Sequence, residues 1–167
     1  MVDSSPDGDA LHLPDVAPRF ALEAIIGAAS SDLCLCRGKE TILLVEDEAF
    51  VRKATAETLE SAGYRMVLAA TAAQAKAAYR DCFEFVDLLL ADVVLPGPSG
   101  HELAAEFLVL CPQVRILLMS GYAEQLTLCE LSPYRKNYLA KPFSISTLLQ
   151  RVRQVLDRTP FDFGASA

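Results

Sequence analysis

From Thr41 onward the chain alternates short apolar runs with stretches whose apolar residues recur at helical spacing. Ile42–Val45 is a continuous apolar run, the pattern of a strand buried on both faces. Residues 49–62 carry Val51, Thr55, Leu59 and Ala62 at helical intervals, with Gly63 as the stop. Tyr64–Ala69 reads as a second strand. Thr71 and Gln74 form a capping-box pattern, and Ala75, Ala78, Tyr79 and Cys82 then mark one helical face. Val86–Ala91 is the most hydrophobic strand, followed by a turn with Pro96, Gly97 and Pro98. Ser99 and Glu102 open another helix, with Leu103, Phe107 and Leu110 along one face and Pro112 beyond its end. Val114–Met119 is a strand, Tyr122–Leu131 a helix ended near Pro133, and Asn137–Ala140 a short strand. The last helix, Ser144 to Asp157, places Ile145, Leu148, Leu149, Val152, Val155 and Leu156 on one face. Five strands alternating with five helices call for an α/β fold with a parallel sheet covered on both sides.

Residues 1–39 differ. They contain Pro6, Pro14, Pro18 and scattered acids, with one short amphipathic stretch at Arg19–Ala29 carrying Phe20, Leu22, Ile25 and Ile26. They read as an N-terminal extension, a flexible leader or else a docking or dimerising segment, with one short helix, joined through a hinge at Arg37-Gly38-Lys39. Residues 40–158 then form the domain and 159–167 a tail. The 167-residue length suits one domain with a modest appendage, and 52% hydrophobic residues supply a sizeable core.

Charge and cysteine content narrow the function classes. A formal net charge of −7 argues against nucleic-acid binding, which needs a basic footprint, and against docking on an anionic membrane. No apolar run is long enough to span a bilayer, and Asp3, Asp7 and Asp9 stand where a secretory signal would be basic. The five cysteines are odd in number and scattered; reduced thiols in a cytoplasmic protein fit better than a disulfide framework or a metal pair at Cys34-Leu35-Cys36.

The chemistry lies where the strands end. The first runs into Glu46, Asp47 and Glu48; the third ends in Asp92, the fourth in Ser120 and the fifth in Lys141. In an open parallel sheet the carboxyl ends share one edge, and ligands bind there at the topological switch point. One polar strand end merely marks where the sheet meets water, but three acids, a hydroxyl and a lysine together demand compensation. A hard divalent cation and the nearby ammonium provide it, and Mg²⁺ suits so few carboxylates. A carboxylate in that setting can act as a nucleophile on phosphorus. His101, just inside a helix start, reads as a solvent-exposed bystander, and no serine–histidine or cysteine–histidine arrangement competes.

These residues resemble the receiver domains of two-component response regulators. The resemblance runs from Glu40 to Asp157 and rests on four segments in order: Ile42–Glu48, Leu88–Gly97, Leu117–Tyr122 and Tyr138–Phe143. It implies a flavodoxin-like (βα)₅ three-layer sandwich with parallel strand order 2-1-3-4-5, an order that the general rule for doubly wound sheets already assigns to one member of this family. It implies Asp92 as phosphoacceptor, Asp47 and Asp92 as direct ligands of Mg²⁺ (or Mn²⁺), Glu46 acting through water, and the Val94 backbone carbonyl as a further ligand. Lys141 would bind the phosphoryl group, Ser120 and Tyr138 would form a hydroxyl–aromatic switch pair, and Lys141-Pro142 would be cis.

The implied partner is a histidine kinase or a histidine phosphotransfer protein, with autodephosphorylation rather than turnover catalysis. Output would pass through protein contacts on the face of the fourth helix, fifth strand and fifth helix, which could also support a homodimer. The motif style is similar to receivers at the C-termini of hybrid histidine kinases. The alternative is an interaction module of the same fold that does not use phosphorylation. An aspartyl-nucleophile phosphohydrolase would need a second acid two residues after Asp92, where Val94 stands.

Three positions depart from the commonest pattern. Glu46 replaces an aspartate, Gly121 replaces a small side chain and loosens the loop that follows, and Val94 offers no polar group to assist a hydrolytic water. Val94→Asn should therefore shorten the lifetime of the phosphorylated form several-fold in an autodephosphorylation assay, and equal decay rates would count against that role.

Overall fold

The computed structural model describes residues 36–82, 86–121 and 137–158. Strands β1 (Thr41–Val45), β2 (Arg65–Ala69), β3 (Leu88–Asp92), β4 (Arg115–Ser120) and β5 (Tyr138–Ala140) form one sheet in the order β2-β1-β3-β4-β5. All four pairings are parallel, as the apolar runs and intervening helices imply. Helices α1 (Ala49–Ser61), α2 (Ala72–Cys82), α3 (Gly100–Leu110) and α4 (Ile145–Leu156) cover it. The expected helices at Tyr122–Leu131 and Arg19–Ala29, and Cys34 of the cysteine pair, lie outside the described residues.

Strand alternation divides the core into two layers. Ile42, Leu44, Leu88, Leu90, Leu117, Met119 and Leu139 point one way, packing against α1 and α4. Leu43, Val45, Leu89, Ala91, Ile116 and Leu118 point the other way, onto α2 and α3. Phe107 of α3 is fully buried in the second layer, with its ring edge-on to Tyr79 of α2 at 5.4 Å between centroids. Phe107→Ala would remove about 3–5 kcal/mol of stability.

Local signals set the helix ends. Ser99 and Glu102 form the reciprocal capping box at the start of α3. Ser144 accepts from the Thr147 amide at the start of α4. Gly63 takes φ of +98° after α1, and its amide and that of Tyr64 return to the Glu60 and Leu59 carbonyls. At α2 the pattern is modified: Thr71 caps Gln74, but the Gln74 side chain reaches the Ala70 amide rather than that of Thr71.

The segment expected to be a hinge is instead tied to the domain. The Gly38 amide donates to the Ala62 carbonyl at 3.2 Å, and the buried Tyr64 hydroxyl donates to the Cys36 carbonyl at 2.9 Å. Cys36 itself is buried in the α1/α4 layer. Just beyond, Glu40 pairs with Arg153 of α4 at 2.8 Å, and Arg153 also holds Asp157.

Burial pushes the Glu40 carboxyl up, but the Arg153 hydrogen bond, local amides and the Arg153 charge outweigh it and leave the group below its usual 4.5. A carboxyl so lowered stabilises the fold above its unfolded pKa, and that stabilisation is lost as pH falls through the folded value. Glu40→Gln should therefore be less stable than wild type at neutral pH, with the gap closing below about pH 4.5 in chemical denaturation. A gap that stayed constant with pH would refute the linkage.

Candidate functional site

The acidic loop is built by the end of β1 and the start of α1. The Glu46 amide closes onto the Ala69 carbonyl of β2, which ends the strand and turns the next residues toward the sheet's carboxyl edge. Arg52, one turn into α1, reaches back with Nη1 to the Glu46 carbonyl at 2.6 Å and the Asp47 carbonyl at 3.2 Å. That guanidinium fixes the backbone of the two acids.

β3 delivers Asp92 to the same edge. The Asp92 Oδ1 accepts from the Val94 amide at 2.9 Å, which orients the carboxylate. Single oxygens of Glu46, Asp47 and Asp92 lie within 4.8 Å of one another, with Glu46 buried and Asp47 exposed. A few hard oxygen donors grouped this closely fit a divalent cation such as Mg²⁺.

Lys141 supplies the opposing charge. Its Nζ lies 2.6 Å from Glu46 Oε2 and 2.5 Å from Asp92 Oδ2. β5 ends at Ala140, and the Lys141 amide still donates to the Ser120 carbonyl at 2.7 Å, so the side chain starts from a fixed point on the sheet edge. The Lys141-Pro142 bond is cis, as expected. Burial raises the Glu46 carboxyl above its usual range and the Asp92 charge adds to this, against the opposing Lys141 hydrogen bond and charge. Burial acts to lower the Lys141 ammonium, but hydrogen bonds to Asp92 and Glu46 outweigh it and raise the group. The ammonium thus stays charged and neutralises a pair of acids that would otherwise repel.

Ser120 is buried at the end of β4, in phase with Ile116 and Leu118, on the sheet face that Tyr138 of β5 also uses. Glu46, Asp47, Asp92 and Lys141 come together at the carboxyl edge, while Ser120 and Tyr138 lie on the α2/α3 side. Val94 is half exposed beside Asp92.

His101 is not the bystander its position implied. It is partly buried, its ring centroid lies 5.8 Å from that of Tyr138, and the tyrosine hydroxyl is 3.2 Å from Nδ1 and 3.4 Å from Nε2. Arg52 and Gly100 were also missed. The signal for Arg52 was a cation near the start of a helix, where the dipole disfavours it. For Gly100 it was a poor helix former placed at a helix start.

The response regulator receiver domain model matches residues 42–153. The chain belongs to the response regulator receiver domain family. A similar relative is the sensor kinase CckA of Brucella abortus, 34% identical over 145 residues, covering 86% of this chain and 15% of the relative. Another is the phosphate regulon regulator PhoB of Pseudomonas aeruginosa, 37% identical over 123 residues, covering 72% of this chain and 53% of the relative. The chain thus spans about half or less of the curated relatives named here. Among solved structures it resembles the CheY-like receiver domain protein of Methanospirillum hungatei (30% identity, TM-score 0.63, 72% of this chain and 95% of that one). The receiver domain of Leptospira biflexa HemR matches at 31% identity and TM-score 0.60, covering 72% and 97%. As in other receivers, the sheet order is 2-1-3-4-5 and an acidic pocket lies at its carboxyl edge. No helix among the described residues is long and apolar enough to cross a membrane.

Gly100 makes the receiver's β3–α3 connection tight. Its amide donates to the Val93 carbonyl at 3.0 Å, and a Cβ there would overlap the Asp92 carbonyl, whereas a Cβ on Gly121 would meet nothing within 4 Å among the described residues. Gly100→Ala should cost about 1–3 kcal/mol through overpacking, read as a lowered urea midpoint. Gly121→Ala should stay within about 0.5 kcal/mol of wild type; equal effects at the two positions would contradict the packing.

Proposed function

We propose that Asp92 is the phosphoacceptor of this receiver and that the modified domain signals through protein contacts. The observation that carries this reading is the Asp92 carboxylate held between the Val94 amide and the Lys141 ammonium, with Glu46 and Asp47 alongside. One Asp92 oxygen forms the new bond to phosphorus. The bond from phosphorus to the donor breaks, and its electron pair leaves with the histidine nitrogen of a kinase or phosphotransfer protein, or with the acetate of acetyl phosphate.

A divalent cation, Mg²⁺ or Mn²⁺, held by Asp47, Asp92, the Val94 carbonyl and, through water, Glu46, would supply charge neutralisation at the phosphoryl oxygens. Lys141 contributes the protein's own positive charge there, and Ser120 donates a hydrogen bond to a phosphoryl oxygen. Tyr138 follows the movement of Ser120 and carries it to the surface of β5. Val94 stands where an aspartyl-nucleophile phosphohydrolase carries a second acid for acid–base work, which supports a signalling acceptor rather than an enzyme.

Residues 40–158 form the receiver in this reading, with 1–39 an N-terminal extension and 159–167 a tail. A cytoplasmic location follows from the chemistry of the donor. The face that includes β5 and α4 is the route to an output partner or a second copy, and neither nucleic acid nor membrane is a partner.

Incubation with acetyl phosphate and Mg²⁺ should add one phosphoryl group to the intact protein, seen by mass spectrometry. Chelation of the metal or Asp92→Asn should abolish the addition. Absence of modification in a folded wild-type protein would instead favour the phosphorylation-independent module.

A further inference from the structure

Among the described residues, Tyr138 is held at three points, two on its backbone and one at its ring hydroxyl. β4 fixes its backbone through register with Leu118, and Nη2 of Arg151 in α4 donates to its carbonyl at 2.9 Å. Its hydroxyl meets the His101 ring nitrogens at 3.2 and 3.4 Å. The third point comes from α3, an element attached directly to the Asp92 loop.

We propose that His101 is a positioning residue for Tyr138, linking the ring to the Asp92 loop through the start of α3, separately from Ser120. Each link in that path is a close contact. Gly100 packs without a Cβ on the Asp92 carbonyl, and its amide bonds to the Val93 carbonyl at 3.0 Å. His101 is the next residue. The Ser99–Glu102 capping box fixes the backbone around it, with the Ser99 amide donating to Glu102 at 2.8 Å. A shift of the Asp92 loop therefore moves the His101 ring with little slack. Burial holds the imidazole below its usual pKa, so the neutral ring, with one acceptor and one donor nitrogen, faces the hydroxyl at neutral pH.

The contact stands on geometry alone; its signalling consequence rests on the proposed role of Tyr138. An apolar side chain of similar size would keep the packing and remove the hydrogen bond. A glutamine would keep an acceptor and a donor within reach of the hydroxyl.

The test uses the full chain labelled with 3-fluorotyrosine, with the Tyr138 line among the five tyrosines assigned from Tyr138→Phe. Fluorine NMR spectra of His101→Leu and His101→Gln are compared with wild type, without ligand and during titration with beryllofluoride and Mg²⁺. His101→Leu should move the Tyr138 line in the unliganded protein and change the beryllofluoride midpoint several-fold, with the other lines and the thermal midpoint nearly unchanged. His101→Gln should restore both toward wild type. An unmoved Tyr138 line in His101→Leu overturns the proposal. So does a shift of all five lines together, which marks general loosening, or a failure of glutamine to rescue. If no wild-type line responds to beryllofluoride, the switch reading of Tyr138 fails and with it the coupling, while the unliganded spectra still decide the contact.

Discussion

The Lys141 ammonium is the contact on which the site depends. It lies 2.6 Å from Glu46 and 2.5 Å from Asp92, joining the ends of two adjacent strands across the sheet's carboxyl edge. Removing a charge of that kind from a partly buried site leaves two acids facing each other, a far larger penalty than the loss of a surface ion pair. The acids cannot separate to relieve it. Glu46 is held by its amide to β2 and by Arg52 on its carbonyl, and Asp92 is the last residue of a strand paired on both sides. Positive charge must therefore come to them, from Lys141 or from a bound cation.

The rest of the fold maintains that geometry. Buried leucines on both faces of β1, β3 and β4 make the central strands rigid, so their ends are fixed in register. Asp92 and Ser120 are the last residues of β3 and β4, and Glu46, Asp47 and Lys141 lie just past β1 and β5, where the backbone begins to turn. Gly100 then brings α3 hard against the Asp92 carbonyl. A small shift of the Asp92 backbone is therefore passed to the start of α3, because packed elements shift as units rather than deform smoothly.

Much of this was legible in the sequence. Unbroken apolar strands between amphipathic helices can only be a two-sided parallel sheet, and Glu46, Asp47, Asp92, Ser120 and Lys141 follow apolar runs in a way that assigns them to one edge. Ser99 with Glu102 and Ser144 before α4 gave correct helix starts because capping acts locally. What escaped was tertiary. Whether Arg37-Gly38-Lys39 bends freely depends on Ala62 and Tyr64, which are distant in sequence. Whether His101 faces water depends on where the helix face of α3 meets β5, and no local pattern reports that. Gln74 showed the same limit on a smaller scale, since its side chain chose the Ala70 amide over the one the capping motif names.

Strand parity has a further consequence for how the domain can signal. Along β3, Asp92 is in phase with Leu88 and Leu90, which face α1 and α4. On β4, Ser120 is in phase with Ile116 and Leu118, which face α2 and α3, and Tyr138 of β5 packs on that same face in register with Leu118. A change confined to the Asp92 side chain would therefore act first on the α1/α4 face. To reach Tyr138 it has to cross the sheet, and a side chain cannot do that without crossing at an end, because the strands between are filled with leucine. Among the described residues, crossings at the carboxyl edge include the end of β4 at Ser120 and the loop from Asp92 to Gly100 that carries the backbone into α3. The second combines the backbone packing of Gly100 with the Ser99–Glu102 capping box, and His101 stands at the point where it arrives.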